Sequence, residues 1–171
     1  MTVREIKMLF AYNTWATHRF FESLNQVRAE TLLREMLASH GSLQGTLMHL
    51  VGAEKIWLSR WIGKPESRGL SEADAPTLPT LKEVWEDVAA RTARFIARLD
   101  TAKLQASFEY STLKGTKYTN TLQQTLQHLV NHSSYHRGQL TLLMRQLGLQ
   151  PVSTDLIEFY RLTAQPGRKR R

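Results

Sequence analysis

The chain contains no cysteine, and that one absence removes several functional classes. Disulfide scaffolds, iron–sulfur clusters and thiolate zinc sites all need thiols, so any metal must be held by nitrogen and oxygen. No apolar run approaches the roughly 18 residues of a membrane span, and no membrane partner is expected. The first residues, Met1-Thr2-Val3-Arg4-Glu5-Ile6-Lys7, set charges inside the first apolar stretch and show no small-residue cleavage site. That is unlike a signal peptide, and a cytoplasmic location is the expectation. Repeats, low-complexity tracts and an internal domain boundary are also lacking. The 171 residues suffice for one domain that buries most of its apolar surface. Residues 1–163 read as that domain, with 164–171 as a basic disordered tail.

Charge of one sign is not lacking, for the formal net charge is +8. Four of those charges are Arg168, Lys169, Arg170 and Arg171, and the 19 other basic residues against 15 acidic ones leave +4. A basic tail touches phosphates without sequence preference. No helix-turn-helix spacing is evident and the long C-terminal helix has no basic face, so no specific nucleic-acid partner is expected.

Most of the chain carries the 3.6-residue helical period. A first helix is predicted over about 2–26, opened by a Thr2/Glu5 capping box, with Leu9, Tyr12, Asn13, Ala16, Phe20 and Leu24 at three- and four-residue steps. A second spans about 42–62 and stops at Gly63. Residues 64–79, with Pro65, Pro76, Pro79 and Gly69, form a long connection. A third helix begins near Thr80, with Glu83 as capping partner, and ends near Asp100. Residues 108–120 read as a hairpin or ordered loop around Lys114-Gly115. A fourth helix runs over about 121–147, capped by Thr121 and Gln124 and terminated by Gly148 and Pro151, and a short helix follows over about 154–162. The fold class is all-α: a four-helix bundle with a long crossover connection and a short C-terminal helix.

Three of the six histidines fall within nine residues, His128, His132 and His136, at four-residue spacing. On a helix they form a column on one face, and an i, i+4 pair of imidazoles is a helical metal grip. His128 and His136 are about 12 Å apart along the axis at 1.5 Å per residue, too far for one ion. The helix therefore offers His128/His132 or His132/His136. A third ligand is expected from a facing helix, and His49, mid-helix among core-type residues, is the best candidate. His18 and His40 look exposed or loop-like and are weaker. Glu54, five residues from His49, points about 140° around the helix from it and suits an ion pair better than ligation. Asn131 and Tyr135 can line the pocket edge or equally pack against a neighbour. Arg137 and Gln139 are expected to reach adjacent helices or a partner subunit.

The segment His128-Leu-Val-Asn-His-Ser-Ser-Tyr-His-Arg-Gly-Gln139 resembles the signature of the DinB-like (damage-inducible) family, within the DinB/YfiT-like metalloprotein superfamily. Tyr12-Asn13-Thr14-Trp15-Ala16-Thr17 is similar to the family's first-helix motif, with Thr17 where asparagine is more usual. His49 with Glu54, Trp57 and Leu58 resembles its second-helix motif, and Pro151–Leu156 the segment after the last long helix. The resemblance implies a four-helix bundle holding a divalent metal, with His49, His132 and His136 as ligands. His128 is then a neighbour, expected to be buried and hydrogen-bonded.

Three neutral histidines leave a coordination position open, as in catalytic rather than structural zinc sites. Superfamily relatives include thiol-dependent transferases and isomerases, so the resemblance implies a metal-dependent enzyme, a transferase or hydrolase acting on a small thiol or electrophile in a stress or damage response. The alternative is a non-enzymatic metal-binding stress protein. Zinc or nickel is the expected metal on ligand type and availability. A homodimer is also expected, from the resemblance and because Trp57, Trp61 and Trp85 exceed what the bundle must bury.

Overall fold

Thr2 opens the first helix as its capping box requires. Its hydroxyl accepts the Glu5 N–H, and the Glu5 carboxylate accepts the Thr2 N–H at 2.7 Å. That helix, α1 (Val3–Leu24), turns Ile6, Phe10, Ala16, Phe20 and Leu24 inward. The computed structural model describes residues 1–164. After α1 come α2 (Ala29–Leu33), α3 (Leu43–Trp61), α4 (Leu78–Ala97), α5 (Thr101–Gln105), strands β1 (Ser107–Ser111) and β2 (Lys117–Thr121), α6 (Leu122–Gln146) and α7 (Leu156–Thr163). From residue 165 onward the basic tail lies outside the described residues.

The predicted boundaries of α1, α3 and α6 hold to within two residues, because each carries its own stop or start chemistry. Ser42 caps α3 through the Gly45 N–H, and Gly63 ends it at φ +71°. Thr121 and Gln124 form the predicted capping box of α6. The start of α4 needs correction. Its cap is Thr77, paired with Thr80, three residues earlier than predicted. Pro79 sits within the first turn, where a missing N–H costs nothing, so it belongs to the helix rather than to the loop. The other end also differs, since α4 stops at Ala97 and Asp100 instead caps α5 through the Lys103 N–H at 2.8 Å. The short helices α2 and α5 carry too little periodicity to be predicted. The hairpin is real, antiparallel from Ser107 opposite Thr121 to Ser111 opposite Lys117.

Four long helices make the bundle in the cyclic order α1, α4, α3, α6, each packed on its two neighbours. The chain crosses the diagonal through 25–42 and 98–121, whereas 62–77 joins neighbours. Two apolar clusters fill the interior. Phe20, Leu24, Leu47, Leu81 and Leu143 belong to one, and Ile6, Phe10, Ile96, Leu126 and Leu129 to the other. Between them α1, α3 and α6 contribute a polar layer of Asn13, Thr17, Glu54, Ser133, His136 and Arg137, all buried. Trp57 and Trp85 are 8% and 3% exposed within the chain itself, so they are not surplus anchors for a second copy. Trp61 is half-buried and donates its indole N–H to Thr125 Oγ1 at 3.0 Å. Among the described residues no helix is long and apolar enough to cross a membrane.

Candidate metal centre

The four-residue spacing on α6 turns His132 and His136 toward α3, where His49 meets them. Ring centroids stand 5.2 Å apart for His49 and His132, and 4.4 Å for both His49–His136 and His132–His136. The three rings are mutually inclined by 53°, 64° and 65°. The structure thus brings together the three residues that the family resemblance implied. It also brings a fourth. His40 stacks on His49 at 3.8 Å with ring planes 14° apart, and lies 5.3 Å from His136. Among the described residues, the triple whose ligand nitrogens all lie within 4.8 Å of one another is His40, His49 and His136.

His40 arrives through local backbone economy in the segment before α3. The loop folds back on the first turn of the helix, with Met36 N–H on the Gly41 carbonyl and Ser42 N–H on the His40 carbonyl at 2.8 Å. Gly45 makes that approach feasible, because a Cβ there would collide with the His40 carbonyl oxygen. In the sequence His40 reads as a loop residue beside Gly41. The signal that could have placed it was Gly45, an otherwise costly helix residue.

Around the rings, the polar partners are few. His136 Nδ1 lies 2.8 Å from Gln139 Oε1. With Nδ1–H donating to that oxygen, Nε2 keeps its lone pair for a metal, the usual outer-partner arrangement. His132 Nε2 is buried and has no hydrogen-bond partner. Buried polar nitrogens are seldom left alone, so this one fits a cation as its missing partner. Burial, then the neighbouring imidazoles, pushes both His49 and His132 down to about 4. Both are therefore neutral near pH 7 and able to donate a lone pair. The donor set suits a borderline divalent cation.

His128 departs from expectation. It is exposed, not buried, and its ring meets Trp57 edge to face at 5.3 Å. One turn beyond His132, it has already left the interior. Asn131 and Tyr135 are exposed too, Tyr135 with its ring edge against His136 at 5.2 Å. His18 is on the outer face of α1, 3.6 Å from Glu22.

Glu54 meets α1. Its carboxylate accepts Asn13 Nδ2–H at 2.7 Å, while Asn13 Oδ1 accepts Arg137 Nη1–H at 2.7 Å. The expected ion pair is thus relayed through an amide rather than made directly. Arg137, 1% exposed, also donates to Ser134 Oγ at 3.0 Å and lies over the Tyr12 ring at 5.3 Å. Burial raises the Glu54 carboxyl to about 7, against the opposing pull of the Asn13 hydrogen bond and the Arg137 charge. The Trp85 indole N–H stands near it but falls short of a formed hydrogen bond.

A pH prediction follows from that carboxyl. Between its ordinary 4.5 and its folded value of about 7, the folded chain holds a proton that the unfolded chain releases. Its contribution to stability is therefore full below 4.5 and lost as pH rises through 7. Glutamine has no such titration. Relative to the native protein, Glu54→Gln should gain on the order of 2–3 kcal/mol across that interval. Urea midpoints on either side of it measure the gain, and a difference that stays flat with pH would refute the raised carboxyl.

A pocket of about 260 Å³ opens beside His49 and His132. Trp57, Arg60, Leu70 and Leu113 line it, with Gly52 at its wall, where a Cβ would press on Leu70 Cβ at 3.3 Å.

A four-helix bundle with a cluster of imidazoles at the edge of a small pocket defines a class of candidate metalloproteins. Residues 1–169 match the DinB family, and the chain belongs to that family. It is 24% identical to Protein DinB of Bacillus subtilis (strain 168) over 154 residues, which is 86% of this chain and 88% of the relative. It is 29% identical to the uncharacterized protein YizA of the same organism over 151 residues, 86% of this chain and 91% of that one.

Proposed function

We propose that this protein is a cytoplasmic metalloprotein whose single divalent cation is held by His49, His132 and His136, and that it is an enzyme using the cation's open position on a small thiol or electrophile. The observations that carry the reading are the mutual inclination of those three rings and the unpartnered, buried His132 Nε2. An ion lies near the plane of each ring that ligates it, and three steeply inclined planes can share one point. His40 and His49, stacked at 3.8 Å and nearly parallel, cannot both do so without large tilts. This favours His132 over His40 as the third ligand. Zinc or nickel suits an all-imidazole set.

When bound, such a cation would lower the pKa of a coordinated water or thiol toward neutrality. The chain's own residues supply the rest. Gln139 fixes the His136 ring, Gly52 admits Leu70 close to the helix, and Trp57, Leu70 and Leu113 keep the pocket beside His49 largely apolar. A transferase or hydrolase in a stress or damage response is the role the family resemblance supports. Having no cysteine, the chain would take any thiol from its substrate.

A second reading, a non-enzymatic metal-binding stress protein, has His40 in its favour, since a fourth imidazole near the site can close the coordination shell. The two separate on the cobalt-loaded protein. An enzyme with an open position should shift its visible spectrum on addition of azide or a small thiol. An unchanged spectrum at saturating thiol selects the closed site. The homodimer is likewise a proposal, resting on the family resemblance alone now that Trp57 and Trp85 are buried within the chain, and light scattering at micromolar concentration tests it.

A further inference from the structure

We propose that the molecule received beside the metal carries a carboxylate at its far end, and that Arg60 is the residue that recognises it. The inference rests on the metal reading above and adds the class of substrate to it.

Arg60 lines the pocket that opens on His49 and His132. Its guanidinium stands over the Trp57 ring at 4.6 Å and the Tyr110 ring at 5.3 Å. Half-buried as it is, it has no carboxylate and no hydrogen-bond acceptor among the described residues. Two aromatic faces hold the planar ion in place without using any of its N–H groups. Those donors are thus free for a ligand. The Arg60 nitrogens are not among the buried unpartnered atoms, so solvent meets them and a ligand acceptor would take the place of water. Partial burial also holds the guanidinium below its ordinary pKa.

The buried arginine, Arg137, shows the contrast. Arg137 spends its donors on Asn13, Thr17 and Ser134. Arg60 also borders a neighbouring pocket of about 590 Å³ under the β1–β2 hairpin. Trp57, the ring the guanidinium covers more closely, lines the smaller pocket and not this one.

No acidic side chain lines the smaller pocket. A dication at one end and a guanidinium at the other make it positive at both poles and apolar between them. His49 and Arg60 are eleven residues apart on α3, about 16 Å at 1.5 Å per residue, and Arg60 folds back one turn over Trp57, which leaves a span on the order of 10 Å. About 260 Å³ is below the roughly 300–1,000 Å³ of drug-sized sites. The occupant is therefore a small, extended anion. The fork fits carboxylate and phosphate alike, but one guanidinium with no lysine in the lining balances a single negative charge, which favours a carboxylate over a phosphate dianion.

Two thiols of matched length test the assignment, mercaptopropionate and its neutral alcohol counterpart mercaptopropanol. Each is titrated into the cobalt-loaded protein and followed by the visible spectrum. The native protein should bind the carboxylate thiol at least about tenfold more tightly than the alcohol. In Arg60→Gln that ratio should fall to about one, with metal content as in the native protein. Arg60→Lys, which keeps the charge but not the fork, should fall between. Equal affinities in the native protein would overturn the inference, whatever the variants do. A preference that survives Arg60→Gln would overturn the role of Arg60. Failure to take up metal would instead strike the metal reading, and metal uptake without thiol binding would strike the open position.

Discussion

His132→Ala is expected to emerge from purification with little or no divalent metal, while His128→Ala retains it. The two substitutions remove the same side chain one helical turn apart, so helix propensity and surface charge change almost equally. What differs is position. His132 stands between His49 and His136 with a buried nitrogen lacking any partner, whereas His128 lies outside against Trp57. His49→Ala and His136→Ala should lose metal as His132→Ala does. Gln139→Ala removes only the orienting partner of His136 and should weaken affinity by about 10–100-fold, the usual cost of an outer-shell contact. His40→Ala should keep the ion. Metal loss in His40→Ala with retention in His132→Ala would reverse the ligand choice and select the triple whose nitrogens lie within 4.8 Å of one another. Elemental analysis of the variants, purified side by side, reads all of these outcomes.

The largest expected effect on stability belongs to Arg137. Replacing it with alanine should cost about 3–5 kcal/mol, the range for breaking a buried charged network by removing one partner. Asn13 Oδ1 loses its donor, the Ser134 and Thr17 hydroxyls lose theirs, and the Glu54 carboxyl loses the charge that opposes its protonation. A cavity is left as well, since Arg137 is the largest of the fully buried side chains. Arg137→Lys should recover less than half of the loss, because an ammonium cannot serve Asn13 and Ser134 at once through a planar fork. Chemical denaturation of the three proteins measures this. A loss under about 1 kcal/mol for Arg137→Ala, the level of an ordinary surface substitution, would mean that the polar layer does not hold α1, α3 and α6 together.

The bundle was legible because its long helices announce themselves. Thr2 with Glu5, Ser42, Gly63 and Thr121 with Gln124 are local chemistry, readable one turn at a time. The start of α4 was misplaced because a proline reads as a breaker until its position inside the first turn is known. Within the site, the column on α6 and the core-like setting of His49 were visible as spacing, and the family resemblance chose among the pairs. His40 reads as a weaker candidate in sequence because its approach depends on a backbone fold allowed by Gly45 four residues after Gly41, a tertiary fact with a weak local mark. The relay from Glu54 through Asn13 to Arg137 joins three helices, and no spacing within one helix encodes it. His128 reads as an inward residue because a column of three looks uniform in sequence. Over eight residues, however, the helix face drifts, and the third member reaches the surface beside Trp57.

X-ray absorption at the metal edge of the purified, fully loaded native protein tests the three-histidine site most directly. One ion per chain is expected, with three imidazole nitrogens at about 2.0–2.1 Å and the remaining position filled by a light, exchangeable ligand. A spectrum with fewer than three imidazoles, or an ion content far below one per chain after reconstitution, would contradict it.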